Sequence, residues 1–270
     1  MKVTFIGGGN MASAIIGGLV RKRWPRTAIR VVEVAAAARE RLQRELKVAT
    51  HAALDARAAK SDCIVLAIKP QQMREAALAL KPLLASQLVI TIAAGIRVKD
   101  LSRWLGGYQH IVRVMPNTPA LALAGVSGLF AARAVTAAER AAAERVLGAV
   151  GTTLWLERED DLDAVTAVSG SGPAYVFYFI EALERAACEL GLRADAARTL
   201  ALETFAGAVK LAAQATEPPE SLRGRVTSKG GTTERALASM EADHVKDAIV
   251  RAVKAAAERS RELGDELGRD

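Results

Sequence analysis

The stretch "FIGGGNMASAIIGGL", Phe5–Leu19, decides the fold, because three consecutive glycines join a short apolar run to a helical pattern. Gly7, Gly9 and Ala12 have the spacing of a dinucleotide-binding turn: the first glycine makes the bend, the second lets the backbone approach a pyrophosphate, and the small third residue lets the helix pack on the strand. The start of the helix then offers its N–H groups to the phosphates, although such a turn also occurs without a ligand. The residues that we predict to bind a dinucleotide here are Gly7, Gly8, Gly9, Asn10, Met11 and Ala12.

Strand and helix patterns alternate through the first 160 residues, as in a parallel sheet whose strands are connected by helices. The strand patterns are apolar or β-branched runs, typical of strands that are buried on both faces. They are "KVTFIG", "AIRVVEV", "SDCIVLAIK", "QLVITIAAG" and "HIVRVM", followed by the weaker "GVSGLFAA" and "TTLWLE". We therefore predict an α/β Rossmann-type domain with a mostly parallel, doubly wound sheet over residues 1–160.

The pattern changes near residue 160, after which only helical periods occur. They run through Ala174–Leu190, Ala194–Ala213 and Thr233–Leu267, with breaks at "GLRAD", "EPPE" and "TSKGG". The sequence thus predicts an all-α domain over residues 161–270. Long alanine-rich helices often bury their apolar faces against a second copy, so we expect this domain to dimerise and the chain to be a homo-oligomer.

Composition and charge argue against two classes of partner. The 270 residues are 51% apolar and carry a net charge of +7, with basic residues in short clusters that lack interleaved aromatics. This favours a solvated surface over nucleic-acid binding. The uncharged stretches Val3–Val20 and Val114–Ala132 are interrupted by glycines or prolines, so we predict neither a signal peptide nor a membrane span. Cys63 and Cys188 share no motif and are predicted to be buried thiols in a cytoplasmic protein.

Glu33 ends the second predicted strand, where an acid discriminates between dinucleotides. A carboxylate at this position hydrogen-bonds the ribose 2′-hydroxyl of NAD and repels the 2′-phosphate of NADP. The residue therefore favours NADH. Two alternatives stay open: Glu33 pairs with nearby arginines, or Arg30 and Arg39 bind a 2′-phosphate.

Three further loops follow predicted strands, at the edge where ligands bind in open α/β sheets. In the third of them, prolines on both sides stiffen Asn117 and Thr118, which suits a loop that holds the nicotinamide amide. Each loop can also be a rigid turn without a ligand. The residues predicted to bind the cofactor are Ala67, Ile68, Lys69 and Pro70 in "AIKPQ", Ala93, Ala94 and Gly95 in "IAAG", and Asn117 and Pro119 in "VMPNTPA".

Two glycine-rich segments precede helices in the second domain. In "SGSGPAYVF", Pro173 suits a first helical turn, and Ser171 or Gly172 suits its cap. In "TSKGGTTERAL", the N–H groups of Gly231 and Thr232 are expected to be free at a helix start, which is a carboxylate site by backbone geometry. Plain capping of the helices is the alternative for both segments.

The three histidines, His51, His110 and His244, share no spacing with a carboxylate or cysteine that would indicate a metal site or a nucleophilic triad. We predict no bound metal.

Taken together, these segments resemble the pyrroline-5-carboxylate reductases, and the resemblance covers essentially the whole chain. It is carried in order by "IGGGNMASAI", "AIKPQ", "AAG", "RVMPNTPA", "SGSGPAYVF" and "TSKGGTTERAL". The last two are the specific segments, because many enzymes share the glycine turn. The resemblance implies hydride transfer from NADPH or NADH to the C=N carbon of a cyclic imine carboxylate, which gives L-proline. It also implies a helical domain that interlocks two subunits, with dimers often assembled further as a ring of five.

The resemblance also implies roles for individual residues. Asn117 and Pro119 lie near the nicotinamide, the 169–175 segment shapes the floor of the site, and the Thr233 hydroxyl is the donor to the imine nitrogen. The predicted substrate-binding residues are Ser171, Gly172, Lys229, Gly230, Gly231, Thr232 and Thr233.

Two residues depart from the family pattern. Glu33 stands where many members have a small hydroxyl or a basic residue, so the family's frequent use of NADPH does not carry over directly. Lys229 stands where some members have proline, and it would attract an anionic substrate.

A β-hydroxyacid dehydrogenase is an alternative, but the helix "PAYVFYFIEALERAA" lacks the lysine that those enzymes use. A dinucleotide-binding protein without catalysis is the third hypothesis.

Overall fold

Within residues 1–269, which the computed structural model describes, eight strands form one sheet. They are β1 (Val3–Ile6), β2 (Ile29–Val32), β3 (Ala49–His51), β4 (Cys63–Leu66), β5 (Leu88–Thr91), β6 (Ile111–Met115), β7 (Gly125–Ala131) and β8 (Gly151–Trp155). The order is β3-β2-β1-β4-β5-β6-β7-β8, and only the pairing of β6 with β7 is antiparallel. This order confirms the predicted doubly wound, mostly parallel sheet.

The central strands are buried on both faces, as their continuous apolar runs predict. Every residue of β1, β4 and β5 is buried. Helices cover the faces with apolar side chains; α1, for example, buries Ile15, Ile16 and Leu19 at helical spacing. The helices of this part are α1 (Asn10–Arg21), α2 (Ala36–Leu46), α3 (Ala56–Ala59), α4 (Met73–Leu80), α5 (Val98–Trp104), α6 (Ala137–Leu147) and α7 (Asp161–Val165).

The rest of the described chain is helical, as predicted. Its helices are α8 (Gly172–Glu189), α9 (Ala194–Gln214), α10 (Pro219–Arg225), α11 (Thr232–Ala242) and α12 (Val245–Leu267). Among the described residues, no helix is both long and apolar enough to span a bilayer.

The chain forms two compact units. One contains Met1–Ser171 and the described residues from Ala256 onward, and the other is Gly172–Ala255. The units therefore change after Ser171, and α12 contributes residues to both. The predicted domain boundary after residue 160 stays a prediction.

Two local expectations are wrong. The predicted helix Thr233–Leu267 is broken in two, because His244 adopts a left-handed conformation with φ of 51° between α11 and α12. Cys188 is exposed on α8, since nothing within the described chain covers this face, whereas Cys63 on β4 is buried as expected. Burial and, to a smaller extent, the negative charge of Asp62 raise the pKa of the Cys63 thiol, which therefore stays protonated.

Two adjacent glycines on α1 face different surroundings. A Cβ at Gly18 would lie 2.5 Å from the Ala149 carbonyl oxygen and 2.6 Å from Val150 Cγ1, so the helix packs directly on the backbone before β8. A Cβ at Gly17 would meet only Leu46 Cδ2, at 3.9 Å.

We expect Gly18→Ala to destabilise the protein by roughly 1–3 kcal/mol, because the added methyl overlaps backbone atoms. The matched control Gly17→Ala should be neutral or stabilise by up to about 1 kcal/mol, the difference in helix propensity. Thermal unfolding at equal protein concentrations measures both effects. Equal melting temperatures for the two variants would contradict the packing described for Gly18.

Candidate active site

The turn between β1 and α1 lies where the sheet reverses its winding direction. Strand β1 has β2 on one side and β4 on the other, so the loops after β1 and β4 leave the sheet on opposite faces at its carboxyl edge. Gly7 has φ of 99°, and its N–H donates to the Val32 carbonyl oxygen at 2.8 Å. A Cβ on Gly7 would lie 2.4 Å from the Ala67 carbonyl oxygen. The predicted bend at Gly7 thus opens a crevice at the position where such sheets bind ligands.

The start of α1 faces open space at this crevice. Gly9 precedes the helix, and no side chain caps the N-terminus of the helix. A Cβ built on Gly9 would have no other atom within 4 Å. Ala12 is 1% exposed, as expected of the small residue that lets the helix approach the strand. Uncapped N–H groups beside a bare glycine backbone fit the pyrophosphate of a dinucleotide. Asn10 and Met11 form the first turn of this helix.

Glu33 follows β2 and binds the glycine turn through its carboxylate. Its Oε2 accepts from the Gly8 N–H at 2.8 Å, and its Oε1 accepts from the Ala35 N–H at 2.9 Å. Arg39 donates to the carbonyl oxygens of Glu33 and Val34 and not to this carboxylate. The expected alternative of an arginine ion pair is therefore not what the structure shows. The carboxylate is fixed beside the turn by two backbone donors.

The two neighbouring loops lie at the same edge. Ala67 and Ile68 follow β4 half-buried, with the Ala67 N–H donating to the Ile6 carbonyl oxygen at 2.8 Å. Lys69 is exposed, and Pro70 begins a short 3₁₀ turn. After β5, Ala93 is buried, Ala94 is half-buried and Gly95 has φ of 74°. The structure therefore brings these predicted residues to the carboxyl ends of adjacent strands, while their contact with a cofactor stays a prediction.

Asn117 joins two segments that the sequence keeps far apart. Its side chain is 8% exposed; its Oδ1 accepts from the Val126 N–H at 2.9 Å and its Nδ2 donates to the Ser169 carbonyl oxygen at 3.2 Å. Residue 173 would normally supply the helical donor to Ser169, but it is a proline and has no N–H. Asn117 supplies that donor instead. Its amide thus has a structural role, beside the half-buried Pro119.

The helix start near Ser171 is where it was predicted, because α8 begins at Gly172 and has Pro173 in its first turn. A π turn, Thr166–Gly170, precedes it, and Ser171 has helical φ and ψ of −83° and −21°, so Ser171 lacks the extended backbone that is typical of an N-cap. The Ser171 N–H donates to the Thr166 carbonyl oxygen at 2.8 Å. Single π turns of this kind are frequent at functional sites.

The 227–233 loop of the second unit differs from expectation at one donor. The Gly231 N–H is not free: it donates to the Ser228 carbonyl oxygen at 3.0 Å and closes a turn. The Gly230 N–H donates to Glu234 Oε2 at 2.6 Å. Thr232 begins α11, whose N-terminus has no side-chain cap, so the alternative of capping by a threonine hydroxyl is not observed. Lys229 is exposed and Thr233 is half-buried.

The role of Glu234 was missed, although a glutamate in the first turn of a helix is a known capping signal. The carboxylate reaches back to the loop and holds Gly230, whose φ is 74°. The loop shape therefore depends on a residue beyond the glycines.

Two histidines have a carboxylate partner that spacing did not reveal: the exposed His244, whose Nδ1 lies 3.7 Å from Asp247 Oδ2, and the half-buried His110. His110 Nδ1 lies 2.8 Å from Glu139 Oε1. Burial alone would raise the pKa of Glu139, but hydrogen bonds from Thr136 and His110 outweigh it and hold this pKa below its ordinary value. His110 precedes β6, so the pair lies at the amino edge of the parallel strands, away from the predicted cofactor loops. Within residues 1–269, no group of three or more His, Cys, Asp or Glu side chains is placed to hold a metal ion.

Two family models match the chain. The model described as "Pyrroline-5-carboxylate reductase dimerisation" matches residues 159–263. The model described as "NADP oxidoreductase coenzyme F420-dependent" matches residues 2–95.

Curated relatives and solved structures match over nearly the full length. A pyrroline-5-carboxylate reductase from Coxiella burnetii has a TM-score of 0.90 and 38% identity, and the match covers 97% of this chain and 98% of that one. A Plasmodium falciparum pyrroline carboxylate reductase with NADP bound has a TM-score of 0.87 and 29% identity, and the match covers 98% of both chains. The pyrroline-5-carboxylate reductase of Pseudomonas aeruginosa is 43% identical over 268 residues, which are 99% of this chain and 98% of the relative. Because identity at this level extends across both units, the chain belongs to the pyrroline-5-carboxylate reductase family.

Proposed function

We propose that this chain reduces 1-pyrroline-5-carboxylate to L-proline with NADPH or NADH, the last step of proline synthesis. The observation that carries the proposal is the uncapped start of α1 at the reversal point of the sheet, in a chain that matches this family from end to end. The bound NADP of the Plasmodium falciparum relative supports the choice of cofactor.

The direct test is turnover of 1-pyrroline-5-carboxylate by the purified protein with each reduced dinucleotide. We expect consumption of the reduced nicotinamide and formation of proline. Failure with both cofactors would contradict the proposal. Activity on β-hydroxyacids, or dinucleotide binding without turnover of either substrate, would instead support one of the two alternative hypotheses.

The proposed division of labour needs no strong base. The glycine turn and the loops after β4, β5 and β6 orient the dinucleotide, which supplies the hydride when bound. The Thr232 N–H, at the uncapped start of α11, suits the substrate carboxylate, since a helix N-terminus favours an anion. The Thr233 hydroxyl donates a hydrogen bond to the imine nitrogen. When that nitrogen takes a proton from water it has no lone pair left, and the Thr233 oxygen then accepts a hydrogen bond from the iminium N–H. The hydride adds to the C=N carbon of this cation, so the reaction depends mainly on orientation.

Thr233→Ala tests the donor. We expect the rate of imine reduction to fall by roughly tenfold to a hundredfold, on the scale of one hydrogen bond of 1.5–3 kcal/mol to a charged group. Dinucleotide affinity should change far less. Steady-state kinetics with both substrates varied give the rate, and direct binding gives the affinity.

Thr233→Ser is the matched control, because it keeps the hydroxyl and should retain most of the activity. Wild-type activity in Thr233→Ala would remove Thr233 from the mechanism.

Glu33→Ser tests cofactor choice. The Glu33 carboxylate, which lies beside Gly8, would repel the 2′-phosphate of NADPH and accept a hydrogen bond from the 2′-hydroxyl of NADH. Its removal should therefore raise the catalytic efficiency with NADPH relative to that with NADH. The ratio of kcat/KM for the two cofactors measures the effect. Glu40→Ser removes the same charge from an exposed position on α2 and should leave the ratio unchanged. An unchanged ratio in Glu33→Ser would show that Glu33 does not contact the ribose.

We also propose that the second unit forms an interlocked dimer, with further assembly into a decamer. The dimerisation match over residues 159–263 supports a homo-oligomer. Large apolar side chains of this unit are exposed in the single chain, among them Tyr178 at 71%, Leu190 at 85% and Leu211 at 66%. Apolar surface of this extent is typical of a face that is covered in the assembly.

Leu211→Glu should lower the oligomeric state, because a buried interface would then contain an unpaired charge. Sedimentation velocity measures the change. Gln214→Glu introduces the same charge at the end of the same helix and serves as the control. An unaltered assembly in Leu211→Glu would place this part of α9 outside the interface.

A further inference from the structure

The loop after β5 rests on the last turns of α12. Gly95 has φ of 74°, and a Cβ at this position would lie 2.8 Å from Leu267 Cδ1 and 3.5 Å from the backbone of Leu263. Only a glycine lets the loop backbone come this close to the helix. The helix therefore forms the support on which residues 93–95 lie.

Arg97 fastens this loop to the same helix. Its Nη1 lies 2.5 Å from Asp265 Oδ1, and its Nη2 donates to the Arg261 carbonyl oxygen at 3.2 Å. A Cβ at Gly264 would lie 3.0 Å from both Nε and Nη2 of Arg97, so the guanidinium lies flat against bare helix backbone. A planar group with several donors is needed to bind the carboxylate and the carbonyl oxygen together.

Neighbouring positive charges favour the ionised form of Asp265. The hydrogen bond from Arg97 and its positive charge lower the pKa of Asp265, and the charges of Lys99 and Arg269 act in the same direction. The carboxylate is thus ionised at neutral pH.

The next residue along the loop is also fixed. The Val98 N–H donates to Glu159 Oε1 at 2.7 Å, and the buried Arg113 donates to the same oxygen at 2.9 Å. The segment after Gly95 is therefore bound to α12 at Arg97 and to Glu159 at Val98. Its backbone has little freedom to shift.

We propose that Arg97 is a positioning residue of the dinucleotide site. It holds residues 93–95 in place by binding Asp265 and the Arg261 carbonyl oxygen, and the last turns of α12 are the support. This rests on the proposed function, in which the loop after β5 contacts the dinucleotide. Arg97 itself acts through that loop.

The test measures the affinity of the full-length protein for NADPH and NADH by the fluorescence of the reduced nicotinamide, without imine present. We expect Arg97→Ala to weaken binding about tenfold, the scale of one charge-assisted hydrogen bond. The KM for the imine, measured at saturating dinucleotide, should stay within about twofold of the wild-type value. The reason is that Arg97 does not belong to the site that binds the imine. Arg97→Lys should restore only part of the affinity, since an ammonium does not bind both acceptors in the same way.

A double-mutant cycle separates the pair from its surroundings. Arg97→Ala combined with Asp265→Asn should bind the dinucleotide no more weakly than Arg97→Ala alone, because the two side chains act together. Additive losses would overturn the assignment of Asp265 as the partner through which Arg97 acts. Gly264→Ala displaces the guanidinium without removing it and should weaken binding in the same direction, which keeps the test decisive should Arg97→Ala fold poorly.

Lys99→Ala is the matched control, since it removes the same charge from an exposed position near the same carboxylate. It should leave affinity within about twofold. Three outcomes would each overturn the inference. They are wild-type affinity in Arg97→Ala, an equal loss of affinity in Lys99→Ala, and a loss of binding in Arg97→Ala that only follows the amount of folded protein. If the wild-type protein itself binds neither dinucleotide, the proposed function fails and this inference with it.

Discussion

The contact between the Gly7 backbone and the Ala67 carbonyl oxygen is the constraint on which the rest of the site depends. A Cβ at Gly7 would overlap that oxygen, at 2.4 Å, and the positive φ of Gly7 is unfavourable for other residues. With glycine there, β1 and β4 remain paired to their last residues, Ile6 and Leu66. The two following loops then separate to opposite faces of the sheet, and the start of α1 opens between them. A binding crevice therefore arises from one missing side chain.

Much of the fold was predictable, because burial on both faces leaves an unmistakable apolar run in β1, β4 and β5. β3 was missed: it has three residues, lies at the edge of the sheet and needs no such run. The break at His244 was missed because neither glycine nor proline marks it. Local sequence therefore predicted the central elements and not the irregular ones.

The candidate site was predictable where backbone chemistry decides it and not where distant side chains do. The glycine turns before α1 and α11 were predictable, because glycines next to a helix start are a local sequence signal. Arg97, in contrast, binds a partner 168 residues later, and no spacing rule connects the two. The free N–H expected at Gly231 was lost to the nearby Ser228 carbonyl oxygen, a turn that helix-start rules do not consider. Asn117 lies in the predicted proline-flanked loop after β6, while its bond to Ser169 depends on Pro173, which has no N–H to donate to that carbonyl oxygen.

The return of α12 to the first unit has a consequence for biosynthesis. A ribosome delivers the eight strands and their helices first, and domains generally fold as they emerge. Here the loop after β5 waits for α12, because Arg97 binds Asp265 and the Arg261 carbonyl oxygen, 168 and 164 residues later. The nascent Rossmann-type unit can form its sheet early, yet its β5 loop is completed only after the helical unit has been translated. The contacts of this loop with α12 are thereby delayed until that helix has been translated.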